Sequence, residues 1–351
     1  MMSVLDIQNI LDVCKKFNEF YNTKVADYCI GLEEFDDSIL KDVRDLCKKT
    51  QKRCLDLLSL YETDSDKETC QQYGIPVPKT YVIGNKIPND LYENIHYPVF
   101  VKPLDASGSR GAAACYSRSD LESQFADALS YSASGKAIVE DYVTGTEFLL
   151  DYVGVNGEFR LLSMFDRYMS PGRASAINYS NVCLCPSKRI DQYYEQVNPK
   201  IVRMFRELGF TDGLIFLQGH TDGEHITFYE MGCRLGGSFF NLEQSVLGLN
   251  PVEMIIRYAL SGRMLDSIDA VSARSADFKK VAMVCNYLLE GDDETVARIE
   301  GVEDVKKLDS FVALIQQRNV GFHIKKDRIV DKPILSFYMV ADDLKKMKSS
   351  A

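Results

Sequence analysis

The sequence predicts a short α/β opening, an α+β core of two lobes and a β-rich close. Three observations predict it. Strand and helix signals alternate through most of the chain, a lysine-bearing strand runs into a glycine-rich loop at 97–112, and only short strands and turns remain after 278. A chain of 351 residues exceeds one ordinary domain, and 46% apolar content supports real cores. The expected units are a short α/β domain over 1–75, a core over 76–265 divided into lobes at 76–145 and 146–265, and a β-rich subdomain over 266–351.

Val4, Ile7, Ile10, Leu11, Cys14 and Phe17 fall at helical spacing over residues 3–20. Residues 24–30 read as a strand, 36–49 as a helix and 54–60 as a short apolar piece. A wound sheet would open on a strand, so this part is expected to lack at least one βα unit. Thr63-Asp-Ser-Asp66 offers N-cap side chains to a helix that stops before Gly74. The segment Gly74-Ile-Pro-Val-Pro78 then turns into a strand at 80–83.

The strand that follows delivers one lysine. Its pleat sends Val99 and Val101 one way, Phe100 and Lys102 the other. Pro103 ends the pairing. In the loop at 104–111, Ser107, Gly108, Ser109 and Gly111 leave backbone N–H groups open to an anion. A second apolar run, 112–116, comes next. The lysine precedes the loop and a strand follows it, so this is neither a Walker loop nor a dinucleotide fingerprint. By itself the segment fits two readings: a hairpin lid over nucleotide phosphates, or a plain β-hairpin with a surface lysine.

Ser119-x-x-Glu122 matches a capping box for a helix with Leu121, Phe125 and Leu129 on one face. Strands are expected at 137–140, 147–155 and 159–165, the last two joined by an Asn156-Gly157 hairpin signal. Asn198-Pro199 opens a helix that Gly209 stops. Strands at 213–218 and 225–230, joined by Thr221-Asp-Gly, should pair antiparallel and bring Gln218 beside Glu230. Asn250-Pro251 starts a last helix, stopped by Gly262.

A formal charge of −10 and a pI near 5.1 argue against a nucleic-acid or anionic-membrane surface. No run of 18 apolar residues and no basic-then-apolar N-terminus occurs. The expectation is a soluble, cytoplasmic protein. Ten cysteines are scattered without a Cys-x-x-Cys pair, and there are four histidines. Reduced thiols and no zinc site are expected.

Five segments come in an order that resembles the ATP-grasp superfamily, over residues 63–341. They are Asp66-Lys67 leading to Gly74-Ile-Pro-Val-Pro78; Pro98-Val-Phe-Val-Lys102-Pro; the loop at 105–111; Val139-Glu-Asp-Tyr-Val143 with Gly145-Thr-Glu147; and Phe228-Tyr-Glu230-Met-Gly-Cys-Arg234. The likeness is to the carboxylate–amine ligase type, similar to the ATP-grasp domains of biotin carboxylase and carbamoyl phosphate synthase. It implies ATP and Mg²⁺ as cofactors, with Mn²⁺ as an alternative ion. Lys67 and Lys102, with Ser107, Gly108 and Ser109, would hold the phosphates. The backbone at Glu140, Tyr142 and Val143 would meet the adenine edge, and Glu147 would accept from the ribose hydroxyls. Glu230 and Gln218 would ligate the metal. Lys102 and Arg234 would be catalytic, Arg234 forking onto a substrate carboxylate or acyl phosphate. Arg160, Arg167, Arg173 and Lys188 are expected to face the same cleft.

Two departures accompany the resemblance. Gln218 stands where the family has an acidic ligand, and Gly232 where it has asparagine. The implied activity is an ADP-forming ligase that joins a small-molecule carboxylate to an amine through an acyl phosphate. The alternatives are a non-catalytic ATP-binding regulatory module and a kinase with an alcohol acceptor. No nucleic-acid or membrane partner is implied, and a homodimer is allowed.

Overall fold

The computed structural model describes residues 66–106, 110–169, 180–233, 235–237, 239–288, 293–324 and 333–349. The elements expected at 3–20, 24–30, 36–49 and 54–60 lie outside the described residues. So do Ser107, Gly108, Ser109, Arg173 and Arg234.

Helix α1 (Asp66–Gln72) leads through the extended segment 74–78 into a four-stranded sheet. Its strands are β1 (Thr80–Ile83), β2 (Val99–Pro103), β3 (Ala113–Cys115) and β4 (Ala137–Asp141). They run in the order β1-β4-β2-β3, with every pair antiparallel. Helix α2 (Asn89–Asn94), which the sequence did not signal, lies between β1 and β2. Val99, Val101 and Val139 are fully buried, packed with Leu121, Phe125 and Ala128 of α3 (Arg118–Tyr131). Each such side chain contributes about 1.5–3 kcal/mol. That face fixes the other one, so Phe100 and Lys102 point away from α3, as the alternation requires.

One local expectation is corrected. The N-cap of α3 is Ser117, whose Oγ accepts from the Asp120 N–H at 3.2 Å. Ser117 has the extended backbone a cap needs, φ −146° and ψ 168°. Ser119 is already inside the helix, and Glu122 pairs with Arg118 at 2.9 Å.

The larger lobe is an eight-stranded antiparallel sheet. In chain order its first five strands are β5 (Thr146–Val155), β6 (Glu158–Met169), β7 (Ser180–Cys185), β8 (Gly213–Thr221) and β9 (Ile226–Gly232). Then come β10 (Val281–Tyr287), β12 (Phe311–Gln316) and β14 (Leu335–Ala341). The spatial order is β12-β14-β10-β7-β6-β5-β8-β9. β11 (Glu294–Thr295) and β13 (His323–Ile324) pair separately. Asn156 and Gly157, at φ 52° and 80°, make the tight β5–β6 turn. The β-rich C-terminal segment is therefore built into the large sheet through β10, β12 and β14.

Strand β5 is covered on both faces. Phe148, Leu150 and Tyr152 pack with Tyr193 of α4 (Ile190–Gln196) and with Ile201, Met204 and Phe205 of α5 (Asn198–Glu207). On the opposite face Leu149 packs with Leu242 of α6 (Phe240–Leu247), and Val153 with Met254 of α7 (Pro251–Ser261). The lobes touch where the Phe228 N–H donates to the Pro76 carbonyl at 2.9 Å. The chain crosses between the lobes at 142–145. Gly145 has φ 125°, and a Cβ there would sit 2.3 Å from the Thr221 carbonyl oxygen, so only glycine fits. Among the described residues no helix is long and apolar enough to cross a membrane.

Ser117→Ala is expected to cost about 1 kcal/mol in urea unfolding and Ser119→Ala a few tenths, since only the first removes a cap. Equal losses would show that the helix starts elsewhere.

Candidate functional site

The buried carboxylate of Glu140, 4% exposed, gathers the two lysines. Lys67 of α1 donates to its Oε2, and Lys102 of β2 lies 3.0 Å from its Oε1. Lys67 also donates to Thr80 Oγ1 at 3.1 Å. Glu140 is the register partner of both Thr80 and Phe100, so the central position of β4 holds the cluster together. Burial pushes the Lys67 ammonium down to about 8, with the neighbouring Lys102 charge acting in the same direction and Glu140 against it. Burial pushes the Glu140 carboxyl up, but Lys102 and Lys67 outweigh it and hold the group below its ordinary value. Glu140 is thus ionised at neutral pH.

Lys102 also reaches the large lobe. Its Nζ lies 3.5 Å from the Tyr229 carbonyl oxygen and 6.0 Å from the centre of the Tyr229 ring. Glu230 is the next residue. The Phe100–Lys102 face of the small sheet therefore opens onto β9.

The end of β4 and the residue after it are tied back to the small lobe. The Asp141 N–H donates to the Lys79 carbonyl at 3.0 Å and the Tyr142 N–H to the Pro98 carbonyl at 3.4 Å. Glu140 is paired on both sides within the sheet, so its backbone is taken up by the ladder. Strand pairing ends by Tyr142, and Val143 is the first of the three expected adenine-edge residues beyond it. The half-buried Tyr142 ring lies 6.4 Å from both Phe100 and Tyr116. The base of the glycine-rich loop is tied down by Asp105, which accepts from Ser132 Oγ at 2.7 Å, Ala133 N–H at 3.1 Å and Ser134 N–H at 2.7 Å.

A second cluster lies where β5, β6, β8 and β9 meet. Glu147, 7% exposed at the start of β5, accepts at the same oxygen from Arg167 Nη1 and Gln218 Nε2. Glu147 pairs with Arg167 across β5–β6, and Gln218 with Glu230 across β8–β9, so the antiparallel expectation for the last two holds. His220 is the register partner of Glu147, and its ring lies 5.2 Å from that of Tyr229. Burial pushes the His220 imidazole below its ordinary value. Thr80, Tyr229 and His220 were missed by sequence reasoning. Period-2 alternation from Gln218 would have found His220; nothing local marks Thr80.

Gly232 has a packing reason. A Cβ at this position would lie 2.3 Å from the Phe216 ring, its cross-strand partner. Phe216 occupies the space a larger side chain would need, so no ligand can project from residue 232. Among the described residues no group of three or more His, Cys, Asp or Glu is placed to hold a metal. The exposed Glu230 and its partner Gln218 still offer oxygens from adjacent strands. That fits Mg²⁺ shared with substrate phosphates, not Mg²⁺ caged by protein.

Arg160 corrects another expectation. It stands seven residues along β6 from Arg167, about 23 Å at strand rise, and lines a different cavity beside Tyr194 and Asn198. Arg167 faces Glu147, while Lys188 is exposed, its Nζ 5.6 Å from the Tyr168 ring. Among the described cysteines, Cys115, Cys183, Cys185 and Cys285 are free thiols.

Residues 70–212 match the family described as D-ala D-ala ligase C-terminus. That span includes Lys102, Glu140 and Glu147 and ends before Gln218 and Glu230. A D-alanine–D-alanine ligase of Geobacillus thermodenitrificans is 26% identical over 132 residues, 36% of this chain and 35% of the relative. One of Fusobacterium nucleatum is 32% identical over 98 residues, 28% and 29% of the two chains. The chain thus matches about a third of the length of these relatives. Among solved structures, an L-amino acid ligase from Bacillus licheniformis superposes with a TM-score of 0.64 at 18% identity, covering 80% of this chain and 67% of that one. The biotin carboxylase domain of a Hydrogenobacter thermophilus 2-oxoglutarate carboxylase, solved with MgADP, ADP and bicarbonate, gives 0.61 at 18% identity, covering 81% and 63%. A carboxyaminoimidazole ribonucleotide synthase from Aspergillus clavatus, complexed with ATP, gives 0.57 at 16% identity, covering 81% and 69%. With a four-stranded and an eight-stranded antiparallel sheet, and with these solved structures superposing on it, the chain has the ATP-grasp fold.

Proposed function

We propose that this chain is an ADP-forming ligase that binds Mg·ATP between its lobes and joins a small carboxylate to an amine. The observation that carries the reading is the convergence of Lys67 and Lys102 on buried Glu140, at the point where Lys102 reaches the backbone beside Glu230. Two ammonium groups sharing one carboxylate leave a net positive charge for phosphate to meet. Val143, with the Tyr142 and Phe100 rings beside it, would take the adenine edge. Glu147 would accept from ribose, and loop 104–111, whose residues 107–109 lie outside the described set, would cover the phosphates. The names of the matched relatives and the nucleotides in the neighbouring structures support this reading.

The reaction needs little covalent work from the protein. A substrate carboxylate oxygen attacks the γ-phosphorus of ATP, and the bond to ADP breaks. The amine nitrogen then attacks the acyl carbon, inorganic phosphate leaves and the nitrogen loses a proton. Lys102 and Lys67 neutralise charge on the transferring group and hold it in line. Arg234 would fork onto the carboxylate. Glu230 and the Gln218 amide oxygen, together with phosphate, would hold Mg²⁺, which would supply charge neutralisation there.

A second reading, a non-catalytic ATP-binding module, draws support from two features: Gln218 is engaged with Glu147, and Phe216 excludes a side chain at 232. An alcohol-accepting kinase would use the same nucleotide cleft. ADP and phosphate release, measured over amino acids, dipeptides and uronic acids, tests all three. Equal release of both products with one acceptor pair supports the ligase. ADP without phosphate supports the kinase, and ATP binding without turnover supports the module.

Two outcomes follow from the lysines. Lys102→Ala is expected to weaken ATP binding by about 1.5–3 kcal/mol, the worth of a charged hydrogen bond, and to leave adenosine binding nearly unchanged. Unchanged ATP affinity would remove Lys102 from the phosphate site. The pH dependence follows from Lys67, whose proton leaves at about 8 in the free protein. Bound phosphate favours the charged form, so binding takes up a proton above that pH and affinity falls as pH rises through 8. Calorimetry in buffers of different ionisation enthalpy should show this uptake in wild type and its loss in Lys67→Met.

A further inference from the structure

We propose that Gln218 is the positioning residue that holds Glu147, and that the site consequently takes one divalent ion, on Glu230, instead of two. This rests on the nucleotide site proposed above.

An ionised carboxylate only accepts hydrogen bonds, whereas an amide both donates and accepts. Gln218 uses the donor half: its Nε2 bonds the Glu147 oxygen that also receives Arg167 Nη1. A carboxylate at 218 would instead face Glu147 with a like charge and no proton to offer. Glu147 and Arg167 have side chains only 9% and 15% exposed, so water screens them poorly and the geometry of their pairing matters.

The charge count points the same way. Arg167 cancels Glu147, Gln218 is neutral, and Glu230 leaves one net negative charge for the four residues. Mg²⁺ uses one or two carboxylates together with phosphate oxygens. One ion would find Glu230 and the amide oxygen of Gln218. For a second ion, the further carboxylate among the described residues of the cluster is Glu147, already held by Arg167 and Gln218, and Phe216 blocks residue 232. The glutamine and the glycine therefore act together: one fixes the ribose-facing carboxylate, and both remove ligands that a second ion requires.

The first test counts ions. Full-length protein saturated with β,γ-imido-ATP is titrated with Mn²⁺ and the bound ion is counted by electron paramagnetic resonance. One Mn²⁺ per chain is expected, and two per chain overturn the single-ion inference. Failure of β,γ-imido-ATP to bind at all overturns the nucleotide reading as well, so the two failures are distinguishable. The second test removes metal. Adenosine binding is measured by calorimetry in excess chelator for wild type, Gln218→Leu and Gln218→Glu, with circular dichroism checking the fold. Both variants are expected to bind adenosine about tenfold more weakly, in line with loss of one charged hydrogen bond. Were Gln218 only a metal ligand, metal-free adenosine affinity would not change, and that result overturns its positioning role. If either variant misfolds, the wild-type ion count still decides the stoichiometry.

Discussion

The structure of the cleft depends on one buried carboxylate. Glu140 sits 4% exposed between Lys67 and Lys102, and a lone charge in such a place costs several kcal/mol. Pairing is therefore obligatory. It ties α1, β1, β2 and β4 to one point, which is why the small sheet must run β1-β4-β2, with Glu140 opposite both Thr80 and Phe100. Removing the carboxylate would leave two ammonium groups side by side, and burial already makes the Lys67 charge hard to keep. The same feature explains how the site can be stable without a ligand and still present positive charge to one.

Packing decides what the other lobe can offer. Strand β5 is buried along almost its whole length, so its first buried residue, Glu147, is held at the rim of a rigid layer. Phe216 lies on the same face two residues before Gln218 and fills the space in front of Gly232. Core packing and the proposed metal site thus meet at one aromatic ring. The ring stabilises the sheet and at the same time limits the number of ligands the neighbouring strand can present. Gly145 does the corresponding work at the crossing between lobes, where the Thr221 carbonyl leaves no room for a Cβ.

Much of this was legible in the sequence. Lys102 could be aimed because β2 alternates cleanly, and the Gln218–Glu230 pairing followed from a short turn between two strands. The ATP-grasp fold itself was legible through the order of five motifs. Other features needed three dimensions. Glu140 was read as a hinge residue because its neighbours look like a strand end; its side-chain role depends on Lys67, seventy-three positions away. The capping box at Ser119 was the wrong serine: the cap is Ser117, two residues earlier, where the backbone is extended and the side chain reaches the Asp120 N–H. Strand β7 and helices α2, α4 and α6 are short, and tertiary packing rather than periodicity holds them. Arg160 was misplaced because a strand's two ends look alike in sequence, while only one end reaches the cleft.

Hydrogen exchange of the full chain with and without Mg·ATP tests the central claim most directly. The account expects added protection at 98–103, at 140–147 and along 216–232, because these segments line one cleft and would be ordered together. Protection confined to one lobe, or centred on the cavity beside Tyr194 and Asn198, would contradict it.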